Sequence, residues 1–229
     1  LFKYESFLHK KYKIKFNKNY SKLHDWSIKN PEKFWNSIWD FSNVKGKKIE
    51  KFYKSKELFK NRFFINSKLN FAENLLSRKD NSKAITFINE NGYKEIRKWN
   101  ELNLNVGKIS FYLKKINIKE KDRVAAYLPN LIETVESFLA TVSIGAIWSS
   151  CSPDFGVDGV IERFAQIKPK VLIIVDRYYY NGKEINVIER LPTILTKIKS
   201  IKNVIIVNYP GKNYLKFKKI NKIKINFWK

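Results

Sequence analysis

The alternation of short apolar runs with amphipathic segments constrains the fold of this chain more than any other feature. Val171–Val175 is a run of five aliphatic residues, which is typical of a strand buried on both faces. Strands are also predicted at Arg123–Tyr127 and Val204–Val207, with helical patterns between them. Strand–helix–strand alternation at this spacing favours right-handed βαβ units. The sequence therefore predicts an α/β fold, with a mostly parallel sheet flanked by helices.

Local signals predict the remaining elements of this region. Ala84–Ile88 and Tyr93–Arg97 flank an Asn-Gly turn and predict a hairpin. Asn100 is expected to cap the amphipathic helix that follows. The spacing of apolar residues predicts three further helices, at Leu131–Val142, Val157–Ile167 and Ile188–Ser200.

The two ends of the chain differ from this pattern. Residues 1–24 are basic and aromatic, and they predict a helix with a lysine-rich face. Asn30-Pro31 marks the start of another helix, and residues 43–70 are predicted to be irregular. The chain begins at Leu1 without methionine and stops without a closing element, so we expect a piece of a longer protein.

The run Trp148–Gly156 has the highest concentration of functional side-chain groups in the chain. It places three serine hydroxyls, a thiol and a carboxylate within nine residues, at the end of a short strand predicted to finish near Trp148. Open α/β sheets bind ligands outside the carboxyl ends of their strands. The run therefore predicts the floor of a binding site, with a tight surface turn as the alternative.

The amino-acid sequence of this run and of the neighbouring segments resembles the sequences of acetoacetate–CoA ligases, which belong to the adenylate-forming acyl-CoA synthetase superfamily. Trp148–Gly156 is specific to the acetoacetate branch. The neighbouring segments that carry the resemblance are Phe34–Phe41, Asp122–Asn130, Ser143–Trp148, Val160–Lys170 and Tyr178–Lys183. The resemblance as a whole covers most of the chain, from about Asp25 to Pro210.

The resemblance implies an ATP-dependent acid–thiol ligase. Acetoacetate, ATP and CoA would give acetoacetyl-CoA, AMP and pyrophosphate through an acyl-adenylate, with Mg²⁺ offsetting phosphate charge. It also implies a helical N-terminal segment at residues 1–70, the first part of the AMP-binding large domain at 71–210, and an incomplete, poorly ordered end at 211–229. The family's ATP-phosphate loop and catalytic lysine would lie beyond residue 229. No catalytic or metal-binding residue is therefore assigned, and the chain alone is expected to be inactive.

Two regions are expected to contact CoA. In relatives, the loop that matches Tyr180–Lys183 contacts the adenine-phosphate end of CoA through basic residues. The resemblance therefore implies roles for Tyr180, Gly182 and Lys183, with Arg177 as a weaker neighbour. Gly182 allows close backbone approach, and Lys183 supplies a charge suited to phosphate. An ordinary surface turn is the alternative.

The second region is the Trp148–Gly156 run, which in the superfamily lines the approach of the pantetheine arm. There Ser150, Ser152 and Asp154 would bond amides of that arm, while Trp148 and Phe155 would shape the wall. Alternatively, Ser152 and Asp154 cap the helix that starts near Val157, and we expect capping for Asp154 and wall packing for Trp148.

Composition limits the other function classes. The net charge of +25 suggests a nucleic-acid partner, but the lysines are scattered and the aromatic residues form no stacking platform between them. We expect no nucleic-acid or membrane partner, since no apolar run is long enough to span a bilayer. His9 and His24 lie far in sequence from the polar clusters, and no metal-ligand spacing occurs. Cys151, the only cysteine, fits a reducing, cytoplasmic compartment and is expected to be a small buried residue.

Three alternatives stay open at this point. The first is an acetyl- or propionyl-CoA synthetase-like enzyme, because the acyl pocket lies largely outside this chain. The second is a basic nucleic-acid or interaction module, which the net charge would serve. The third is a free-standing, non-catalytic remnant. The oligomeric state cannot be derived from the sequence.

Overall fold

A parallel sheet carries the elements that surround the candidate site. The structure is a computed structural model that describes residues 2–213 and 223–228. Its strands are β1 (Lys83–Ile88), β2 (Lys94–Lys98), β3 (Arg123–Tyr127), β4 (Ile147–Cys151), β5 (Val171–Val175), β6 (Arg177–Tyr180), β7 (Lys183–Asn186), β8 (Asn203–Val207) and β9 (Lys224–Phe227). Five of these form one parallel sheet in the order β4-β3-β5-β8-β9. The predicted α/β fold is confirmed.

The burial of individual strands agrees with their positions in the sheet. All five residues of β5 are fully buried, as expected for a central strand covered on both faces. The more polar β4 lies at one edge of the sheet, beside β3. The register pairs Tyr127 with Cys151, so the carboxyl ends of β3 and β4 meet at the same edge.

The described residues form eight α-helices, and the last four of them belong to the same unit as this sheet. The α-helices are α1 (Phe2–Tyr12), α2 (Tyr20–Lys29), α3 (Pro31–Phe41), α4 (Phe71–Leu75), α5 (Trp99–Lys115), α6 (Ile132–Ser143), α7 (Val157–Ile167) and α8 (Leu191–Lys197). Helix α5 packs against α6, and α7 packs against α8. The apolar faces of α5 and α7 are buried through Leu102, Leu113 and Phe164.

Two antiparallel hairpins accompany the sheet. The predicted β1–β2 hairpin is confirmed. The β6–β7 hairpin was not predicted, although its turn is also Asn-Gly. Asn181 and Gly182 have φ values of 50° and 70°, the pair of left-handed residues that a tight two-residue hairpin requires.

Residues Leu1–Asn74 form a compact unit separate from Leu75–Lys229. The prediction of one helix over residues 1–24 is wrong, because α1 ends at Tyr12 and α2 starts at Tyr20. The backbone of Lys13 is left-handed, and the Glu5 carboxylate accepts a 3.0 Å hydrogen bond from the Phe16 N–H in the loop between the helices. Within this unit, Tyr4, Leu8, Phe16 and Leu23 form a buried apolar cluster. The predicted helix start at Pro31 is confirmed.

Three boundaries differ from the predictions. Asn100 does not cap α5, because the helix already begins at Trp99 and the Glu101 carboxylate accepts the Lys98 N–H at 2.9 Å. The helix predicted at Ile188–Ser200 is instead a short 3₁₀ helix, Ile188–Arg190, followed by α8. Poor order was expected over 211–229, but Lys224–Phe227 forms a strand beside β8; residues 214–222 lie outside the described part of the chain.

Candidate functional site

A cleft of about 330 Å³ lies where the carboxyl ends of β3 and β4 meet the β6 strand. The β3–α6 connection, the end of β4 and the β6 strand all contribute side chains to it. These lining residues are Leu128, Pro129, Asn130, Thr134, Ser150, Cys151, Ser152, Asp154, Tyr178, Tyr179 and Tyr180. The cleft therefore combines hydroxyls, amides and a carboxylate with aromatic walls, which suits a ligand with both polar and apolar parts.

The run Trp148–Gly156 is only partly a turn. Its first four residues continue β4 through Cys151, so the prediction of a strand ending near Trp148 is wrong. Side chains alternate between the two faces of an edge strand, which makes polar residues compatible with it. The turn itself is confined to 152–156. This arrangement leaves Ser152 and Asp154 at the carboxyl end of the strand, where the cleft opens.

The side chains of Ser152 and Asp154 bond to each other and not to the start of the following helix. Helix α7 is capped by the backbone of Gly156 without a side-chain hydrogen bond, so the expected capping by Ser152 and Asp154 is wrong. The Ser152 hydroxyl instead donates to the Asp154 carboxylate at 2.6 Å. Burial and then the neighbouring Asp154 carboxylate raise the pKa of Tyr178 to about 12, so its phenol stays protonated at neutral pH.

The β6–β7 hairpin supplies the opposite side of the cleft. Tyr180 lines it, and Lys183 is the direct cross-strand partner of Tyr180. Directly opposed residues of a hairpin share a face, so the lysine lies beside the tyrosine ring at the rim. Both side chains are exposed, and a Cβ added at Gly182 would meet no atom within 4 Å. This part of the site is open to a ligand.

Arg177 faces away from solvent. Only 7% of the residue is exposed, and its guanidinium donates to the Asp176 carboxylate at 3.1 Å and to the Asn213 carbonyl at 2.5 Å. A further contact joins it to Glu184 at 3.4 Å. These bonds hold the base of the hairpin, and they leave Arg177 outside the cleft lining.

The two aromatic residues expected at the wall lie outside the cleft lining as well. Trp148 packs edge-on against Phe138 of α6, with 6.0 Å between ring centroids. Phe155 is partly exposed, and the Arg163 guanidinium lies 4.5 Å from the centroid of its ring. Of the residues assigned from the sequence, the fold therefore brings four into one cleft: Ser150, Ser152, Asp154 and Tyr180.

The cysteine at the cleft offers no nucleophile. Cys151 is buried, as expected, and burial raises the pKa of its thiol although the charge of Arg163 opposes this. A thiol with a raised pKa stays protonated at neutral pH and is poorly reactive. The arrangement of the described residues is therefore suited to binding and orienting a ligand.

Sequence reasoning missed several contributors to the site. Asn130 and Thr134 follow β3, and the rule that ligands bind at the carboxyl ends of strands would have pointed to them. Glu90 and Arg190 are distant in sequence from the residues that they hold. Glu90 accepts hydrogen bonds from the turn of the β6–β7 hairpin, and Arg190 donates to the turn after β4. A single sequence carries no local signal for either contact.

Two other features are absent from residues 2–213 and 223–228. No group of three His, Cys, Asp or Glu side chains there is arranged to hold a metal ion. Within the same residues, no helix is both long and apolar enough to cross a membrane.

Comparisons with known proteins find two matching family patterns and several sequence relatives. The sequence pattern of the AMP-binding enzyme family matches residues 74–224, and the pattern described as acetyl-coenzyme A synthetase N-terminus matches residues 20–75. The acetoacetyl-CoA synthetase of Xenopus tropicalis is 42% identical over 196 residues, covering 83% of this chain and 29% of that protein. The acetoacetyl-coenzyme A synthetase of Rhizobium meliloti (strain 1021) is 40% identical over 194 residues, covering 84% of this chain and 30% of that protein.

A solved structure supports the same relationship. The acetoacetyl-CoA synthetase from Streptomyces lividans superimposes with a TM-score of 0.85 at 26% identity, over 97% of this chain and 34% of that one. The resemblance drawn from the sequence motifs is thus confirmed. The chain spans less than a third of the length of the curated relatives that it matches.

Proposed function

The chain belongs to the AMP-binding enzyme family, and on that premise we propose that it forms part of the CoA-binding cleft of an acetoacetate–CoA ligase. In the proposed reaction, the acetoacetate carboxylate attacks the α-phosphorus of ATP, and pyrophosphate leaves. The CoA thiolate then attacks the acyl carbon of acetoacetyl-adenylate, and AMP leaves. Splitting the reaction in this way converts an unreactive carboxylate into a good acyl donor.

One observation carries the proposal. Ser152 and Tyr180 were assigned to CoA from two separate segments of the sequence, and they line the same cleft in the structure. Two surface turns without a common ligand would have no reason to converge there. The cleft also lies at the carboxyl edge of the sheet, where open α/β folds bind their ligands.

The chemistry of the cleft suits the proposed ligand. At its rim, Lys183 offers an ammonium to a phosphate of CoA, beside Tyr180, whose ring supports the adenine end. Deeper in the cleft, the Ser152 and Tyr178 hydroxyls and the Asp154 carboxylate offer partners for the pantetheine amides. Trp148, Phe155 and Arg177 are proposed to act indirectly, by supporting the β4 strand, the following turn and the hairpin.

ATP and Mg²⁺ belong to the proposed reaction, but the described residues do not fit them. No cluster of carboxylates is available for a cation in that part of the chain. No Gly-rich phosphate loop occurs among the eight glycines of the sequence. We therefore assign no step of adenylation to these residues, and the role of this chain is proposed to be the binding of CoA.

Acetoacetate is proposed as the acid because of the Trp148–Gly156 run and because of the relatives that the chain matches. Acetoacetyl-CoA synthetases are 39 to 42% identical to this chain over most of its length. The acetyl- or propionyl-CoA synthetase alternative predicts a preference for a shorter acid. We also propose the division into residues 1–70 and 71–210, and a cytoplasmic location, which the single cysteine supports.

A chimeric enzyme tests the proposal. The 196-residue segment shared with the Xenopus tropicalis enzyme would be exchanged for that of this chain, and AMP formation would be measured with and without CoA. Acetoacetate-dependent AMP formation that CoA accelerates, and that acetate does not replace, is the expected result. A chimera that folds, by circular dichroism and thermal melting, yet forms no acetoacetyl-CoA would refute the proposal.

A further inference from the structure

Arg190 lies in the 3₁₀ helix that precedes α8, and its guanidinium reaches the turn that follows β4. One nitrogen, Nη1, contacts three oxygen atoms of this region. It donates to the Tyr127 hydroxyl and, at 2.8 Å, to the Pro153 carbonyl, and it lies 3.3 Å from the Phe155 carbonyl. The contact joins residues 37 positions apart in sequence, so the turn depends on a side chain from outside its own segment.

One assignment of the protons gives each of the three acceptors in this cluster a donor. The two N–H groups of Arg190 Nη1 match two acceptors, the Tyr127 hydroxyl and the Pro153 carbonyl. The single proton of Tyr127 is then free for the Phe155 carbonyl, to which it donates at 2.5 Å. Tyr127 is fully buried, and burial raises the pKa of its phenol, so this proton is retained at neutral pH.

The anchored carbonyls lie on either side of the residue that faces the cleft. Pro153 and Phe155 flank Asp154, whose carboxylate accepts the Ser152 hydroxyl. The Pro153 carbonyl belongs to the peptide group before Asp154, and the Phe155 N–H, which donates to the Ser152 carbonyl at 3.1 Å, belongs to the one after it. With the Phe155 carbonyl also held, the backbone of the turn has little freedom around Asp154. The position of the Asp154 carboxylate in the cleft therefore follows from the bonds of Arg190 and Tyr127 to the turn.

We propose that Arg190 is a positioning residue of the CoA cleft, acting with Tyr127 to hold the 152–156 turn so that Asp154 faces the ligand. The inference rests on the proposed CoA-binding function. Arg190 touches no ligand itself, since it is not part of the cleft lining. Lysine is an informative replacement, because its ammonium lies on a flexible stem and is held in place less firmly than a nitrogen of the planar guanidinium.

Cys151 provides a readout of the turn that does not depend on CoA. It is the only cysteine, it is 5% exposed, and it precedes the turn directly. Release of the turn would expose its thiol to a reagent such as DTNB. We expect Arg190→Lys to raise the labelling rate of Cys151 about tenfold, as the loss of one charge-assisted hydrogen bond would predict.

The experiment compares Arg190→Lys and Tyr127→Phe with the wild-type chain. Both variants are expected to label faster at Cys151 and to bind CoA severalfold more weakly, with little change in the free energy of unfolding measured in urea. Arg78→Lys is the matched control, because Arg78 pairs with Asp80 at an exposed site distant in sequence from the turn. This control should leave both readouts unchanged.

The outcomes separate the two proposals. If the wild-type chain binds CoA and the variants bind it equally well with unchanged Cys151 labelling, the positioning role of Arg190 is wrong while the proposed function stands. If labelling rises only in proportion to a loss of global stability, Arg190 is merely structural and the inference is also wrong. Failure of the wild-type chain to bind CoA, with faster labelling in the variants, would overturn the proposed function but leave the anchoring of the turn intact.

Discussion

The carboxylate of Glu90 accepts a 3.0 Å hydrogen bond from the backbone N–H of Gly182, 92 residues further along the chain. The adjacent N–H of Asn181 donates to the other oxygen of the same carboxylate, also at 3.0 Å. Successive backbone N–H groups of a tight turn form a small anion-binding concavity, and Glu90 fills it. The β1–β2 turn thereby fixes the hairpin that carries Tyr180 and Lys183.

Replacing Glu90 tests this link. In Glu90→Gln one oxygen becomes an amide donor, so one of the two hydrogen bonds is lost and the other is no longer charge-assisted. We expect hydrogen exchange at the Asn181 and Gly182 amides to accelerate about tenfold, and CoA affinity to fall severalfold. Glu162→Gln, on the surface of α7, serves as the control of equal charge change. Unaltered exchange at both amides in Glu90→Gln would contradict the account.

Replacing two different glycines by alanine should change the free energy of unfolding in opposite directions. Gly182 has a φ of 70° and Gly107 lies in α5, and a Cβ added at either position meets no atom within 4 Å. Steric contact is thus equal, and only backbone conformation differs. Gly182→Ala should lower the free energy of unfolding by about 1 kcal/mol, because the left-handed region disfavours a Cβ. Gly107→Ala should raise it by roughly 0.5 to 1 kcal/mol. Urea denaturation of both variants checks the pair, and equal signs would be inconsistent with the described turn.

Lys183 should contribute electrostatically to CoA binding. Its exposed ammonium is expected to be worth about 1 kcal/mol to a phosphate, so Lys183→Ala should weaken CoA binding about fivefold. The loss should shrink at high ionic strength, since exposed charges are screened. Isothermal titration at two salt concentrations measures this, with Lys197→Ala of α8 as the control. An equal loss in the control would indicate non-specific attraction to the basic surface.

Glu136 of α6 makes stability depend on pH. Burial raises its pKa from 4.5 to about 7, while the Asn105 hydrogen bond and the Arg97 charge oppose the shift without cancelling it. The Arg97 Nε lies 2.9 Å from one Glu136 oxygen but is not aligned for a hydrogen bond, and the other oxygen has no hydrogen-bond partner among the described residues.

The folded state therefore holds a proton on Glu136 that the unfolded state releases at lower pH. The free energy of unfolding should fall as the pH rises from about 4.5 through about 7, by roughly 3 kcal/mol in total. Glu136→Gln keeps an oxygen for Asn105 and removes the titration. Its urea denaturation curves should vary less between pH 5 and 8 than those of the wild type. An identical pH profile in both proteins would rule out this role of Glu136.

The spacing of apolar residues predicted the main strands and helices, because it indicates directly which side chains are buried. Five consecutive aliphatic residues at Val171–Val175 fit a central strand, and the spacing of apolar residues in Val157–Ile167 fits a helix. The β1–β2 hairpin was predicted because its Asn-Gly turn is flanked by clear strands. These elements are determined by interactions between near neighbours along the chain.

Elements fixed by distant partners were not predicted. Ser149 and Ser150 suggested a turn, but pairing with β3 keeps them in an edge strand through Cys151. The capping assigned to Asp154 was wrong because its carboxylate accepts the Ser152 hydroxyl instead, in a turn that Tyr127 and Arg190 hold from outside the segment. The same reason applies to Glu90 and Arg190, whose partners are visible only in the folded chain.

The most direct test of the CoA cleft is a nuclear magnetic resonance titration of the ¹⁵N-labelled chain with CoA. The account predicts saturable shifts at the amides of Ser152, Asp154, Tyr180 and Gly182, which weaken in Lys183→Ala. Shifts that scatter over the basic surface without saturation, or that leave these four amides unmoved, would contradict it.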